Sequence, residues 1–422
     1  MDKIRVSSRL WLLLSLLAVS IAWLYMTRVL VPWEQYFNVE AGTMKAALGD
    51  LYSPWFGTRA LLLGRKNPYG QEVTHDIQMA FYGHDIVQAH QPGVRVIDEQ
   101  RFAYPVYVVF LLAPVARVGF DRVQEAAPVI LAVLVALSVW LWMRVLRWRP
   151  PAILVSAIIL FVLASPQIAQ GLRLRQLGLI VGCLLALCSF LVVRNHLMLA
   201  GIILAVCTIK PQMVVLPLAW FLLWAVGDLR QRWRLPTGFA GALIVLVAAG
   251  ELILPGWPRD FLAGLAAYRQ YGPVTSLLQV TLGDSAGSVI AALSLAGLLA
   301  WGWSHRKHGA DSAEFPIVLS AFLLGASLAL PLMPPFNQVL LILPLLILLR
   351  DWASLPRLGR FAFVVCASWP WIASAVLLVS HVQLKSLRPI PLLPSVLVLF
   401  LPALLTLLLI ARRSTIASTQ NS

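Results

Sequence analysis

Apolar runs close to the length of a bilayer-crossing helix recur along almost the whole chain, and no other feature of the sequence constrains the fold so tightly. A helix needs about 20 apolar residues to cross a ~30 Å hydrocarbon core. Inside lipid the backbone must satisfy its own hydrogen bonds, so repeated runs of this length fold as helices. The 422 residues are 60% hydrophobic and 12% charged, whereas soluble domains average about 45–50% and about 25%. An all-α polytopic membrane protein follows, with one transmembrane domain spanning 1–422.

The formal net charge of +15 invites a nucleic-acid reading. The cations, however, sit in short clusters between apolar segments, as orientation signals do. No zinc spacing or RNA-binding motif is present, so nucleic acid is excluded as a partner. Cys183, Cys188, Cys207 and Cys366 all fall inside apolar segments and make no disulfide framework. Met1–Arg9 followed by Leu10–Val31 has the charge pattern of a signal peptide. Its apolar stretch is too long and lacks a small-residue cleavage site, so a retained first helix is expected.

Lys3, Arg5 and Arg9 place the N-terminus in the cytoplasm by the positive-inside rule. Residues 32–126 then form a long first extracytoplasmic loop holding more than half of the eighteen acidic residues. Within it Phe102–Gly119 is apolar but short, and it carries Pro105 and Pro114. If it spanned, every later basic loop would face outward, from Arg144/Arg147/Arg149 to Arg412/Arg413. An interfacial helix removes all those violations together. Further helices are expected at about 127–146, 151–166, 177–193, 197–209, 212–227, 236–254, 285–303, 315–333, 337–349, 361–380 and 393–411. That gives about twelve transmembrane helices in the cell (inner) membrane, both termini cytoplasmic, with a second larger extracytoplasmic loop at 255–284. No internal repeat of the kind many transporters carry is evident.

The outward segments hold the residues that carry chemistry, facing the periplasm or exterior. Asp50 lies in GDLYSPWFGTRALLLGRKNPYG, with Tyr52, Trp55, Arg59, Asn67 and Tyr69 close by in sequence. A carboxylate at the membrane surface can serve as a general base, and aromatic neighbours suit a sugar groove. The same residues also read as a helix cap with an interfacial aromatic belt. Arg173, Arg175 and Lys210 come from two loops on one side, where they suit either a lipid phosphate or ordinary headgroup contact. Glu251, at the outer end of an apolar helix, reads as a carboxylate snorkelling to water. His75, His84 and His90 lack metal-ligand spacing. No Asp-x-Asp pair or Walker motif appears, so no metal and no cofactor is expected.

Three stretches resemble the polytopic glycosyltransferases of the GT-C superfamily, specifically family 87 of glycosyltransferases. Asp50 followed by RALLLGRKNPYG is similar to the family's aspartate, leucine-rich helix and Gly-x-x-Pro-Tyr, with one extra residue between Gly64 and Pro68. FAYPVYVVFLLAPVARV is similar to its Tyr-Pro-Pro-Leu and Ala-Pro-Leu segment, with Tyr104-Pro105-Val106 in place of Tyr-Pro-Pro. GLRLRQLGLIVGCLLAL through AGIILAVCTIKPQMVVLPL is similar to its Gly-Gln loop, helix pair and Lys-Pro, with Arg175-Gln176 for Gly-Gln. From Asp228 onward only the helical pattern agrees.

The resemblance implies a GT-C-like fold whose first outer loop contains interfacial helices, with Asp50 as the catalytic base. It implies transfer of a hexose, mannose in bacterial members, from a polyprenyl-phosphate sugar donor to a glycolipid or glycan acceptor, inverting and metal-independent. Arg173, Arg175 and Lys210 would bind the lipid phosphate, and Tyr52, Arg59, Tyr69, Tyr104 and Gln176 the substrates. Membrane lipids are the remaining partners. Two other readings compete: a flippase or transporter of a lipid-linked sugar, and a non-catalytic membrane scaffold. Few polar residues fall in the spanning segments, which disfavours a transport path.

Overall fold

The structure, a computed structural model, describes residues 8–32, 35, 48–83, 100–268, 275–331, 334–384, 404–405 and 407–409. The expected helix at 393–411 lies almost wholly outside these residues, as do His84 and His90. The described chain is helical, with no strand among the described residues.

In chain order the helices are α1 (Ser8–Tyr25), continued by a π-helical turn at Met26–Leu30, α2 (Tyr52–Gly64), α3 (Gln71–Tyr82) and α4 (Val108–Leu112). They continue with α5 (Phe120–Val145), α6 (Ala152–Leu163), α7 (Pro166–Arg173), α8 (Leu177–Val193), α9 (Leu197–Cys207) and α10 (Pro211–Gly227). After the short α11 (Leu229–Arg232) come α12 (Arg234–Ile253), α13 (Trp257–Tyr268), α14 (Leu277–Leu282), α15 (Asp284–His305) and α16 (Glu314–Ala329). A 3-10 helix at Pro335–Leu341 leads into α17 (Ile342–Arg350), and α18 (Arg357–Leu384) follows.

Leu10–Leu30, α5, α12 and α15 are each long and apolar enough to cross a membrane. The pair α6–α7 is bent by 65° and forms either a broken span or a re-entrant loop. Proline at the first position of α7 explains the break, since it has no N–H and clashes with a preceding helical turn. Helices α8, α9, α10 and α16 are apolar but shorter than a full span. By length and composition the described residues therefore hold four candidate spans, or five with the bent pair counted as one, against the twelve expected from the apolar runs. Phe102–Gly119 carries only α4 and a 3-10 turn at Ala113–Val115, too short to cross by itself.

The exposed surface fixes the solvent. Only 11% of the apolar stretch of α12 and 17% of that of α15 is buried inside the protein. Ile244, Val245, Leu252 and Leu293 stand out from these helices. In water such faces would drive aggregation, whereas hydrocarbon accommodates them. An all-helical chain with several long apolar helices and outward-facing Leu, Ile and Val fits a polytopic membrane protein.

Inside the bundle α5 and α8 pack side by side, and α9 lies against both α8 and α12. The α9–α12 contact depends on two glycines. A Cβ on Gly201 would stand 2.2 Å from the carbonyl oxygen of Leu235, and one on Gly238 would stand 2.3 Å from that of Met198. Backbones meet here at a distance only glycine permits, the small-residue packing typical of helices in lipid. At the far end of α10, buried Arg232 donates to the carbonyls of Trp224, Arg306, Lys307 and His308 and stacks over Trp224 at 4.1 Å. Those bonds tie the α10–α11 turn to the end of α15.

Substituting Gly201→Ala should lower the thermal stability of the detergent-solubilised protein by about 1–3 kcal/mol through overpacking. Gly241→Ala, on α12 with nothing within 4 Å of the new methyl, should be neutral or slightly stabilising. Equal unfolding temperatures for both variants would contradict this packing.

Candidate active site

The N-terminal ends of three helices converge through their preceding residues. Asp50 stands just before α2, Gln176 caps the start of α8, and Lys210 caps the start of α10. The Lys210 ammonium donates to Gln176 Oε1 at 2.7 Å, and Gln176 Nε2 donates to Asp50 Oδ2. A carboxylate and an ammonium are thus joined through one amide whose two ends do opposite jobs. Helix N-termini carry unsatisfied N–H groups and partial positive charge, so three of them beside one another favour anionic groups.

The fold fixes each member separately. Asp50 N–H donates to Leu174 O at 2.8 Å, which lays the segment before α2 onto the α7–α8 turn. Gly49 enters that contact with φ +71, and a Cβ there would meet Arg175 Nη1 at 2.9 Å and Leu174 O at 3.0 Å. Lys210 is only 6% exposed. Burial lowers its pKa to about 8, with Asp50 pulling the other way. Its ammonium also lies 5.3 Å over the Phe336 ring, a cation–π contact.

Arg175, in left-handed conformation at φ 55, donates through Nε to Gln124 O and through Nη1 to Arg173 O, both at 3.0 Å. The first bond fastens the α7–α8 turn to α5, and the second closes the turn on itself. Burial and then Arg173 lower its pKa. Arg173 is half-buried in the same turn. The structure therefore brings Asp50, Gln176 and Lys210 together directly, with Arg173 and Arg175 forming the adjoining turn.

Tyr52 and Arg59 on α2 point into packing. Tyr52 meets Phe120 at 4.9 Å and Phe81 at 5.4 Å, both edge-on, and burial followed by Asp76 raises its pKa. Arg59 donates to Ala116 O at 3.1 Å and lies over Trp55. Tyr69 donates its hydroxyl to the Tyr104 carbonyl at 2.6 Å, and burial and then Asp260 raise its pKa. Asn67 Nδ2 donates to Asp260 Oδ2 of α13 at 2.7 Å. The NPYG segment thus anchors α13 over the first loop. Tyr107 reaches Thr208 Oγ1 at 2.9 Å and connects this loop to the turn that bears Lys210. Glu251 accepts from Gly256 N–H at 2.7 Å and closes the turn after α12.

One residue of this site went unassigned in the sequence. Asn337 is 1% exposed, and its Oδ1 lies 2.7 Å from where a Gly178 Cβ would stand; Lys210 Nζ lies 3.3 Å from that point. A polar pair, Asn337-Gln338, between two prolines and an apolar helix was the available signal. Among the described residues, no group of three His, Cys, Asp or Glu side chains stands in metal-binding proximity.

A family model described as glycosyltransferase family 87 matches residues 102–334, more than half of the chain. The chain belongs to glycosyltransferase family 87. No curated protein and no solved structure matches it. The family match takes in Arg173, Arg175, Gln176 and Lys210 and runs well past Asp228, where the resemblance read from the sequence had reduced to helical pattern. Asp50 and α2 lie before it, and Asn337 just after it. The glycosyltransferase-family segment therefore supplies the Gln176–Lys210 half of the hydrogen-bonded chain, and flanking segments supply the carboxylate and Asn337.

Gln176→Leu removes both bonds and strands a buried ammonium, which should cost about 1–3 kcal/mol of stability or more. Thermal unfolding of the purified variant checks this, and an unchanged midpoint would mean that the chain of bonds contributes nothing to the fold.

Proposed function

We propose that this member of glycosyltransferase family 87 moves a hexose, mannose by the family resemblance, from a polyprenyl-phosphate donor to a glycolipid or glycan acceptor on the extracytoplasmic face. The observation that carries this reading is the Asp50–Gln176–Lys210 hydrogen-bonded chain at three converging helix N-termini. It sets a carboxylate beside a positive potential, the pairing that a base and an anionic leaving group require.

Asp50 takes the proton of the acceptor hydroxyl while that oxygen attacks the anomeric carbon. The bond from the anomeric carbon to the phosphate oxygen breaks, and the lipid monophosphate leaves with inversion. Lys210, Arg173 and the three helix ends stabilise the charge that develops on the leaving phosphate without reorganising. Gln176 orients the carboxylate and Arg175 holds the turn. Neither the base nor the fixed cations require a metal ion. Tyr69 supports the first loop by donating to the Tyr104 carbonyl, and Tyr52 and Arg59 hold α2.

General-base catalysis contributes about 10²–10⁴-fold. Asp50→Asn should therefore reduce transfer by that factor while the protein keeps its wild-type chromatographic profile and unfolding temperature. Transfer by Asp50→Asn at near the wild-type rate would remove Asp50 from the base role.

The pH dependence should have a limb set by Lys210. As pH rises through about 8 the ammonium loses its proton and the positive charge facing the leaving phosphate disappears, so transfer should fall. Lys210→Arg keeps the charge to far higher pH and should abolish that limb. An unchanged alkaline limb in a folded Lys210→Arg protein would assign it to another group.

A further inference from the structure

The ends of α5 and α8 opposite the Asp50 site enclose a second charged feature. Arg175 joins the two helices near Gln124 at their first turns, and each then runs away from that point. At about 1.5 Å per residue, the 26 residues of α5 cover about 39 Å and the 17 of α8 about 25 Å. Both end at a pocket of about 380 Å³ lined by Arg144, Arg147, Trp148, Arg149, Phe190 and Arg194, with Val193. The pocket therefore sits across the bundle from Asp50, Gln176 and Lys210.

Four guanidinium groups line it and no carboxylate does. Three arginines near other helix ends are engaged by the protein itself. Arg232 donates to four carbonyls, Arg360 to those of Leu355 and Ala353, and Arg350 pairs in two-point fashion with Asp351. Arg147, Arg149 and Arg194, by contrast, make no side-chain hydrogen bond or ion pair among the described residues. Arg144 lies over Trp140 at 4.8 Å, which fixes one cation beside the aromatic wall. Helix C-termini attract cations, but each such interaction is screened and falls off within the last turn. Four arginines in one concavity exceed what two helix ends call for.

We propose that this pocket binds the phosphate of an anionic phospholipid headgroup from the leaflet opposite the Asp50 site. Arginine's planar fork matches phosphate oxygens two at a time, and Trp148 and Phe190 offer apolar walls to the glycerol region. Basic pockets between transmembrane helices hold anionic headgroups by this chemistry. The site is independent of the transfer reaction and stands or falls separately from it.

The test is lipid retention by the full-length protein, measured by native mass spectrometry in mixed phosphatidylglycerol and phosphatidylcholine. Wild type should prefer phosphatidylglycerol at least tenfold at one saturable site. Arg147→Gln/Arg149→Gln/Arg194→Gln should lose that preference, and exposed Arg194→Gln alone should weaken it about threefold, which covers a triple variant that fails to fold. Arg230→Gln/Lys307→Gln/Arg357→Gln removes the same charge from exposed positions elsewhere and should keep the preference. Equal loss in that control, or no preference in wild type, overturns the pocket in favour of diffuse surface attraction. Inorganic pyrophosphate bound as tightly as phosphatidylglycerol overturns the lipid assignment in favour of a soluble phosphate ligand.

Discussion

A buried ammonium is the constraint around which the Asp50–Gln176–Lys210 end of this protein is arranged. Lys210 sits almost wholly out of water, and taking a charge from water costs several kcal/mol unless partners replace the lost hydration. Gln176 supplies one partner directly and relays to Asp50, and the Phe336 ring covers another side. Meeting those demands brings together elements distant in sequence: the segment before α2, the α7–α8 turn, the α9–α10 turn and the 3-10 helix at Pro335–Leu341. Small residues make the approach possible. Gly178 brings α8 against Lys210 and Asn337, and Gly182 receives Val339 at 2.8 Å from where its Cβ would be.

The second constraint is the membrane itself. Helices α12 and α15 present Leu, Ile and Val outward over most of their length, so hydrocarbon is the environment in which the fold is stable. The residues proposed for chemistry cluster where three helices begin, and free arginines cluster where two of the same bundle end. This polarity gives the protein two different charged poles. One pole is closed by internal hydrogen bonds, and the other holds three arginines whose side chains bond to no described residue. A lipid-borne donor and an anionic leaflet are the partners that those two poles propose.

Much of the helical skeleton is legible in the sequence because apolar runs and flanking prolines mark it. The helix at 177–193 has the bounds its run predicts, and Pro211 opens α10 where the Lys-Pro step indicates. The bend between α6 and α7 was not legible, because Pro166 marks a break without giving its angle. Nor was the short 3-10 path at Pro335–Leu341, where apolar character alone reads as a longer helix. At the site, Asp50, Gln176 and Lys210 each stand out as polar residues at helix boundaries. That they bond in a chain depends on distances across some 160 positions of sequence, which no local pattern encodes. Glu251 shows the same limit: its carboxylate reads as a snorkelling group but caps the Gly256 N–H five residues on. Tyr69 and Tyr104 read as substrate-binding residues, and the Tyr69 hydroxyl donates to the Tyr104 carbonyl within the first loop.

Membership of glycosyltransferase family 87 and the arrangement of Asp50, Gln176 and Lys210 together make lipid-phosphate-dependent sugar transfer the central claim. The most direct measurement incubates the purified protein with a panel of polyprenyl-phosphate sugars and an extract of glycolipid acceptors, and quantifies released polyprenyl monophosphate. The account predicts release matched one-to-one by a glycosylated acceptor of inverted anomeric configuration. Movement of the lipid-linked sugar across a vesicle membrane without its consumption would contradict it, as would transfer from a soluble nucleotide sugar alone.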